Sequence, residues 1–139
     1  MPAERNTSPT PRFVALIAHD GKKEAMAAFV QKYEAILARL PLVATRTTGG
    51  IIEQATNLTV HKVLSGPMGG DLQIGGMIAE DRVRAVIFLR DPLQPHPHEP
   101  DISALMKVCD THNVPLATNT ATAQMLIDNL PPENANNPK

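Results

Sequence analysis

A chain of 139 residues and 15.0 kDa fits one compact domain that buries about two-thirds of its unfolded surface without covalent staples. With 42% hydrophobic and 19% charged residues it is not a disordered chain, and a net charge of −1 with a pI near 6.5 leaves no basic footprint for nucleic acid. The lone cysteine, Cys109, excludes an internal disulfide framework and fits a reducing cytoplasm; apolar runs such as Phe13 to Ala18 are too short for a bilayer, and the absence of Trp argues against base stacking.

Residues 1–11 hold three prolines and polar neighbours, a frayed lead-in without an apolar signal core. The run FVALIA within Arg12 to Ala18 predicts a strand buried on both faces. Residues 22–40 space Met26, Phe29, Val30, Tyr33, Ile36, Leu37 and Leu40 as one amphipathic helix closed by Pro41. Leu42 to Thr45 reads as a short second strand. Thr47-Thr48-Gly49-Gly50 reads as a turn into a short helix with Ile51, Ile52 and Ala55. Val60 to Leu64 alternates like a more exposed strand, and Ser65 to Asp71 is a glycine-rich turn before a helix with Ile74, Met77 and Ile78.

Arg84 to Leu89 is the most strand-like segment, and a proline-rich loop runs from Asp91 to Pro100. A helix with Ile102, Leu105, Met106 and Cys109 follows, then a strand over Pro115 to Ala117 and a helix over Thr122 to Leu130; residues 131–139 read as a flexible tail. Met26, Met77, Met106, Met125 and Cys109 read as helix packing. Five strand–helix units predict a three-layer α/β/α domain over residues 12–130, with a mostly parallel, doubly wound sheet of five strands.

In open sheets of this kind ligands bind beyond the carboxyl ends of the strands. Polar residues end every strand: His19-Asp20, then Thr45, Thr47 and Thr48, then Ser65-Gly66 and Asp71, then Asp91 with His96 and His98, then Thr118-Asn119-Thr120. Asp20, Thr48, Asp71, Asp101 and Thr120 each precede a helix, and taken singly each reads as a cap. Capping does not account for His19, His98 or Asp91. Thr47-Thr48-Gly49-Gly50 and Ser65-Gly66 have the hydroxyls and bare amides of a phosphate cradle, with Lys23 as point charge; ordinary turn chemistry explains the same glycines. Neither segment matches a Walker or dinucleotide fingerprint. Two histidines and three acids in residues 91–101 are possible metal donors, but no second cluster has a recognised spacing, so no metal is expected.

LIAHD (16–20), ATRTTGG (44–50), LSGPMGGD (64–71), IFLRDPL (87–93), PHEPD (97–101) and ATNTATA (117–123) occur in order across residues 12–130 and resemble the methylglyoxal synthase family. The resemblance implies a homohexameric lyase that converts dihydroxyacetone phosphate to methylglyoxal and inorganic phosphate, without metal or cofactor. Nothing in it implies nucleic-acid or membrane partners. By matching position, it makes Asp71 the catalytic base and His98 the group on the substrate oxygens. His19, Lys23, Thr45, Arg46, Thr47, Thr48, Ser65 and Gly66 fall on substrate- and phosphate-binding positions, and Asp20, Asp91 and Asp101 on supporting acids. Arg46 occupies a position of variable type, which implies a backbone contribution. The family usually carries a longer C-terminal segment with a basic residue near the phosphate, whereas here no arginine follows Arg90; either this branch omits that contact or the sequence stops short of it. A phosphorylated-ligand regulatory domain of the same fold is the non-enzyme alternative, and it would not need Asp71, His98 and Asp101 together.

Overall fold

The computed structural model describes residues 11–93 and 102–130. Five strands, β1 (Phe13–Ala18), β2 (Leu42–Thr45), β3 (His61–Val63), β4 (Val83–Leu89) and β5 (Leu116–Ala117), form one sheet in the order β3-β2-β1-β4-β5. Every pairing is parallel. Six α-helices accompany them: α1 (Lys23–Lys32), α2 (Glu34–Leu37), α3 (Arg46–Ala55), α4 (Gly70–Ala79), α5 (Ile102–Thr111) and α6 (Thr120–Asp128). One-turn 3-10 segments lie at Asp20–Lys22 and Gly66–Met68. The three-layer, doubly wound architecture is the expected one. The lead-in, except residue 11, and the tail lie outside the described residues.

The central strand is buried on both faces, with Val14 to Ile17 wholly inaccessible, as an apolar run without alternation requires. Its side chains divide between two cores. Val14 and Leu16 face α1, α2, α3 and α6 through Met26, Phe29, Leu37, Ile52 and Ile127. Ala15 and Ile17 face α4 and α5 through Ile74, Ile78, Leu105 and Cys109. This split follows from right-handed crossovers: the chain winds outward from β1 to β3 on one face, then crosses back to β4 on the other. The reversal falls between β1 and β4.

Several local expectations are corrected. The single helix over residues 22–40 is interrupted at Tyr33 (φ −109°, ψ 23°). The bonds Tyr33 N–H to Phe29 O and Leu37 N–H to Tyr33 O carry the ladder across the break, so Leu37 still reaches the core. Thr47 to Gly50 are not a turn: α3 begins at Arg46 and contains all four. Thr48 and Asp71 therefore lie inside first turns rather than at caps, and the residues at the cap positions are Thr45 and Gly69. Asn119, not Thr120, caps α6, accepting the Thr122 N–H at 2.9 Å. Met26, Met77 and Cys109 are core residues, but Met106 and Met125 are exposed, because their positions on α5 and α6 fall on the outer faces. No helix among the described residues is long and apolar enough to cross a membrane.

Candidate active site

The carboxyl ends of β1 and β4 meet where the winding reverses, and a crevice at that point is where open parallel sheets take ligands. His19 follows β1 and is 7% exposed. Its backbone N–H bonds to the Leu89 carbonyl at 3.0 Å, and its ring stands edge-on to Phe88, 5.1 Å between centroids. His19 Nδ1 accepts the Asp91 N–H at 2.8 Å. That bond assigns the proton of the neutral ring to Nε2, making this atom a donor. The Asp91 carboxylate accepts the Leu93 N–H at 3.0 Å and lies over Gly21, where a Cβ would collide with Asp91 Oδ2.

Lys23, in the first turn of α1, turns its ammonium back to the Ala18 carbonyl at the end of β1. Asp20 Oδ1 is 3.6 Å from the same nitrogen, but the Asp20 side chain is 81% exposed, so this pair stabilises the fold by at most about 1 kcal/mol. The bond to the Ala18 carbonyl draws the charge to the sheet edge.

At the end of β2, the Thr45 and Thr48 hydroxyls are 3.3 Å apart and both are buried. Neither caps α3, whose first amides have no side-chain partner at the cap position. Thr48 has no solvent-facing surface, and its hydroxyl lies against that of Thr45. Arg46 and Thr47 are exposed in the first turn of the same helix.

Beyond β3, the Ser65 carbonyl accepts the Met68 and Gly70 N–H groups at 3.0 and 2.8 Å. Gly69 takes φ +103°, a conformation that favours glycine, and a Cβ on Gly70 would overlap the Leu64 carbonyl oxygen. These two residues permit a tight entry into α4, which starts without a side-chain cap. Half-buried Asp71 stands in the first turn, where the helix dipole favours a carboxylate.

The buried polar or charged side chains among the described residues are His19, Thr45 and Thr48. All three lie at the carboxyl ends of β1 and β2, which neighbour each other in the sheet. Burying polar groups is unfavourable unless they are satisfied, so their concentration on one edge marks a site. The end of β3, with Ser65, Gly66 and Asp71, is about 10 Å from β1 at normal strand spacing. His98 and Asp101, with His96 and Glu99, lie outside the described residues. No cluster of three potential metal ligands occurs among the described residues. Open clefts elsewhere, such as that lined by Met106, Cys109, Asn113 and Pro115, contain none of the buried polar side chains.

Sequence reasoning missed Gly21, which makes room for Asp91, and Gln73, whose side chain accepts the Leu64 N–H at 2.8 Å. It also missed Glu53, which accepts the Val60 N–H at 2.9 Å and the Lys62 ammonium at 2.6 Å. Those bonds hold its carboxyl below the ordinary carboxylate range, the Lys62 bond most, and tie β3 to α3. No local pattern announces contacts that span nine residues or 72.

Residues 25–118 match the family model of the MGS-like domain. The chain is 58% identical over 119 residues to a methylglyoxal synthase of Ralstonia nicotianae, covering 86% of this chain and 88% of that one. It is 60% identical over 114 residues to a methylglyoxal synthase of Thermus thermophilus, covering 82% and 90%. The crystal structure of a methylglyoxal synthase from Elizabethkingia anophelis superposes with a TM-score of 0.84 at 40% identity, covering 88% of this chain and 81% of the other. A domain match over most of the chain, relatives alike along most of their own length and a shared five-stranded fold agree: the chain belongs to the methylglyoxal synthase family.

Proposed function

We propose that the protein is a methylglyoxal synthase, a carbon–oxygen lyase that converts dihydroxyacetone phosphate to methylglyoxal and inorganic phosphate. The observation that carries this reading is the gathering of His19, Thr45 and Thr48, buried and polar, on one sheet edge beside the Lys23 ammonium, in a chain of this family.

The reaction removes a proton from the hydroxymethyl carbon next to the ketone. The resulting enediolate then shifts its electrons to break the C–O bond to phosphate, and the released enol takes up a proton at carbon to give methylglyoxal. Asp71 is the base. A carboxylate has an ordinary pKa of about 3.9 and is weak against a carbon acid, so the site must stabilise the charge that develops on oxygen. His98 supplies hydrogen bonds to those oxygens, a pairing of carboxylate and imidazole used by other carbon-acid enzymes. Asp101, Asp91 and Asp20 support these groups. Separately, the Asp91 backbone N–H orients the His19 ring.

Phosphate departs when its C–O bond stands out of the enediolate plane, parallel to the π system. His19, Lys23, Thr45, Thr47, Ser65, Gly66 and the backbone at Arg46 hold the phosphate in that attitude, and the buried Thr48 hydroxyl supports Thr45 from within. The uncapped start of α3 supplies amide donors suited to a dianion. Because the cradle recognises the leaving group, inorganic phosphate inhibits, and in an oligomer it biases all subunits together. The assembly is a homohexamer of a single domain over residues 12–130, and it works in the cytoplasm.

The test is incubation with dihydroxyacetone phosphate while assaying methylglyoxal and phosphate. Equimolar formation of both is expected. An aldose phosphate as sole product would make the protein an isomerase, and phosphate binding without turnover would make it a regulatory domain.

A further inference from the structure

Gln73 belongs to none of the motif positions assigned to catalysis or binding, yet its side chain ties the residue before Ser65 to the helix that carries Asp71. Leu64 is the residue after β3, on the edge of the sheet. Gln73 Oε1, from the first turns of α4, accepts the Leu64 N–H at 2.8 Å. Two other features press the same two segments together. Ser65 O accepts the Gly70 N–H at 2.8 Å, and the Gly70 Cα face lies against the Leu64 carbonyl with no room for a methyl. The strand end that presents Ser65 and Gly66 is therefore clamped to the helix turn that presents Asp71.

We infer that Gln73 is a positioning residue, whose amide oxygen fixes Leu64 and Ser65 against the first turn of α4 so that Ser65, Gly66 and Asp71 keep one mutual geometry. This rests on the proposed function. Removal of a proton and expulsion of phosphate are stereoelectronically linked, so a base that shifts relative to the phosphate cradle loses alignment between the two steps. Misplacement by about 1 Å is enough to slow a reaction by about a hundredfold. Gln73 is exposed, so water can satisfy Leu64 when the amide is removed. The fold then survives while the register of the turn loosens.

The test compares wild type with Gln73→Met, which keeps the reach but not the acceptor, and Gln73→Glu, which keeps both. All three are assayed in high salt, where the charge added by glutamate is screened. Gln73→Met should lower kcat/KM by about fivefold to tenfold, with little change in Tm because water replaces the acceptor at Leu64. Gln73→Glu should recover most of it, and Leu64 amide exchange should accelerate only in the Met variant. Equal kcat/KM in wild type and Gln73→Met, or equal impairment of both variants, overturns the inference. If wild type does not turn over dihydroxyacetone phosphate, the proposed function fails. The clamp is then judged by calorimetric binding of inorganic phosphate: weaker in Gln73→Met alone supports it, and equal binding in all three overturns it.

Discussion

Replacing Lys23 by methionine separates the phosphate-binding role proposed for this residue from any structural one. Methionine keeps the unbranched stem and a comparable helix propensity, and removes only the charge and the donor. The Asp20 partner is 3.6 Å away on an 81% exposed side chain, which limits the pair to about 1 kcal/mol or less. The bond to the Ala18 carbonyl adds about 1 kcal/mol, and the loss of these two contacts accounts for less than about 8 °C in Tm for a domain of this size. Binding suffers more. A charge-assisted hydrogen bond to a phosphate dianion is worth about 1.5–3 kcal/mol, or about 10- to 150-fold in affinity. Substrate and inorganic phosphate share that contact, so KM and the phosphate inhibition constant should rise by the same factor while kcat changes little. Initial rates of methylglyoxal formation over a grid of substrate and phosphate concentrations measure all three, and thermal melting reports the fold. An inhibition constant for phosphate within about twofold of wild type, with KM raised, would refute the reasoning, because it would detach Lys23 from the leaving group.

Asp71→Asn should lower kcat at least tenfold, about 1.4 kcal/mol in barrier, while phosphate still binds; a variant that keeps more than about a tenth of wild-type kcat removes Asp71 as the base. Sedimentation at micromolar concentration should give a hexamer, and a 15.0 kDa species alone counts against it. Burial, with a smaller contribution from the Asp110 charge, pushes the Cys109 thiol up to about 11 from an ordinary 9.0. Above pH 9.0 the unfolded chain ionises this thiol while the folded protein keeps its proton. The stabilisation is therefore complete below pH 9.0 and lost as pH rises towards about 11. Denaturation midpoints at stepped alkaline pH should show this fall in wild type and a shallower one in Cys109→Ala; parallel curves would contradict it.

The layered fold was legible because burial imposes different periods on its two element types. FVALIA has no polar face and fits only a strand covered on both sides, whereas Met26, Phe29 and Val30 recur at helical spacing and need one covering layer. Alternation of the two types leads to a parallel sheet, and the carboxyl-end rule then gathers His19, Thr45, Ser65 and Asp91 on one edge before any coordinate is known. The match of LSGPMGGD and its neighbours to a family added roles to those positions. Helix starts were less legible, since Thr, Asp and Gly suit a cap and a first turn alike. The choice between Thr45 and Thr48, or Gly69 and Asp71, depended on how β2 and β3 enter their helices. Exposed Met106 and Met125 show the same limit: a thioether suits either face of a helix, and the neighbouring layer decides which face is covered.

Sequence alone thus determined which residues are apolar, in what period, and so which elements form and which chemistry collects at the sheet edge. Only tertiary structure decided partners. His19 meets the Asp91 N–H across 72 residues, because β4 pairs with β1 rather than with the preceding β3. Gln73 meets Leu64 because α4 folds back over the end of β3. Periodicity is a property of neighbours along the chain, whereas a donor and an acceptor find each other only after strand order and crossover hand have set the distance between them.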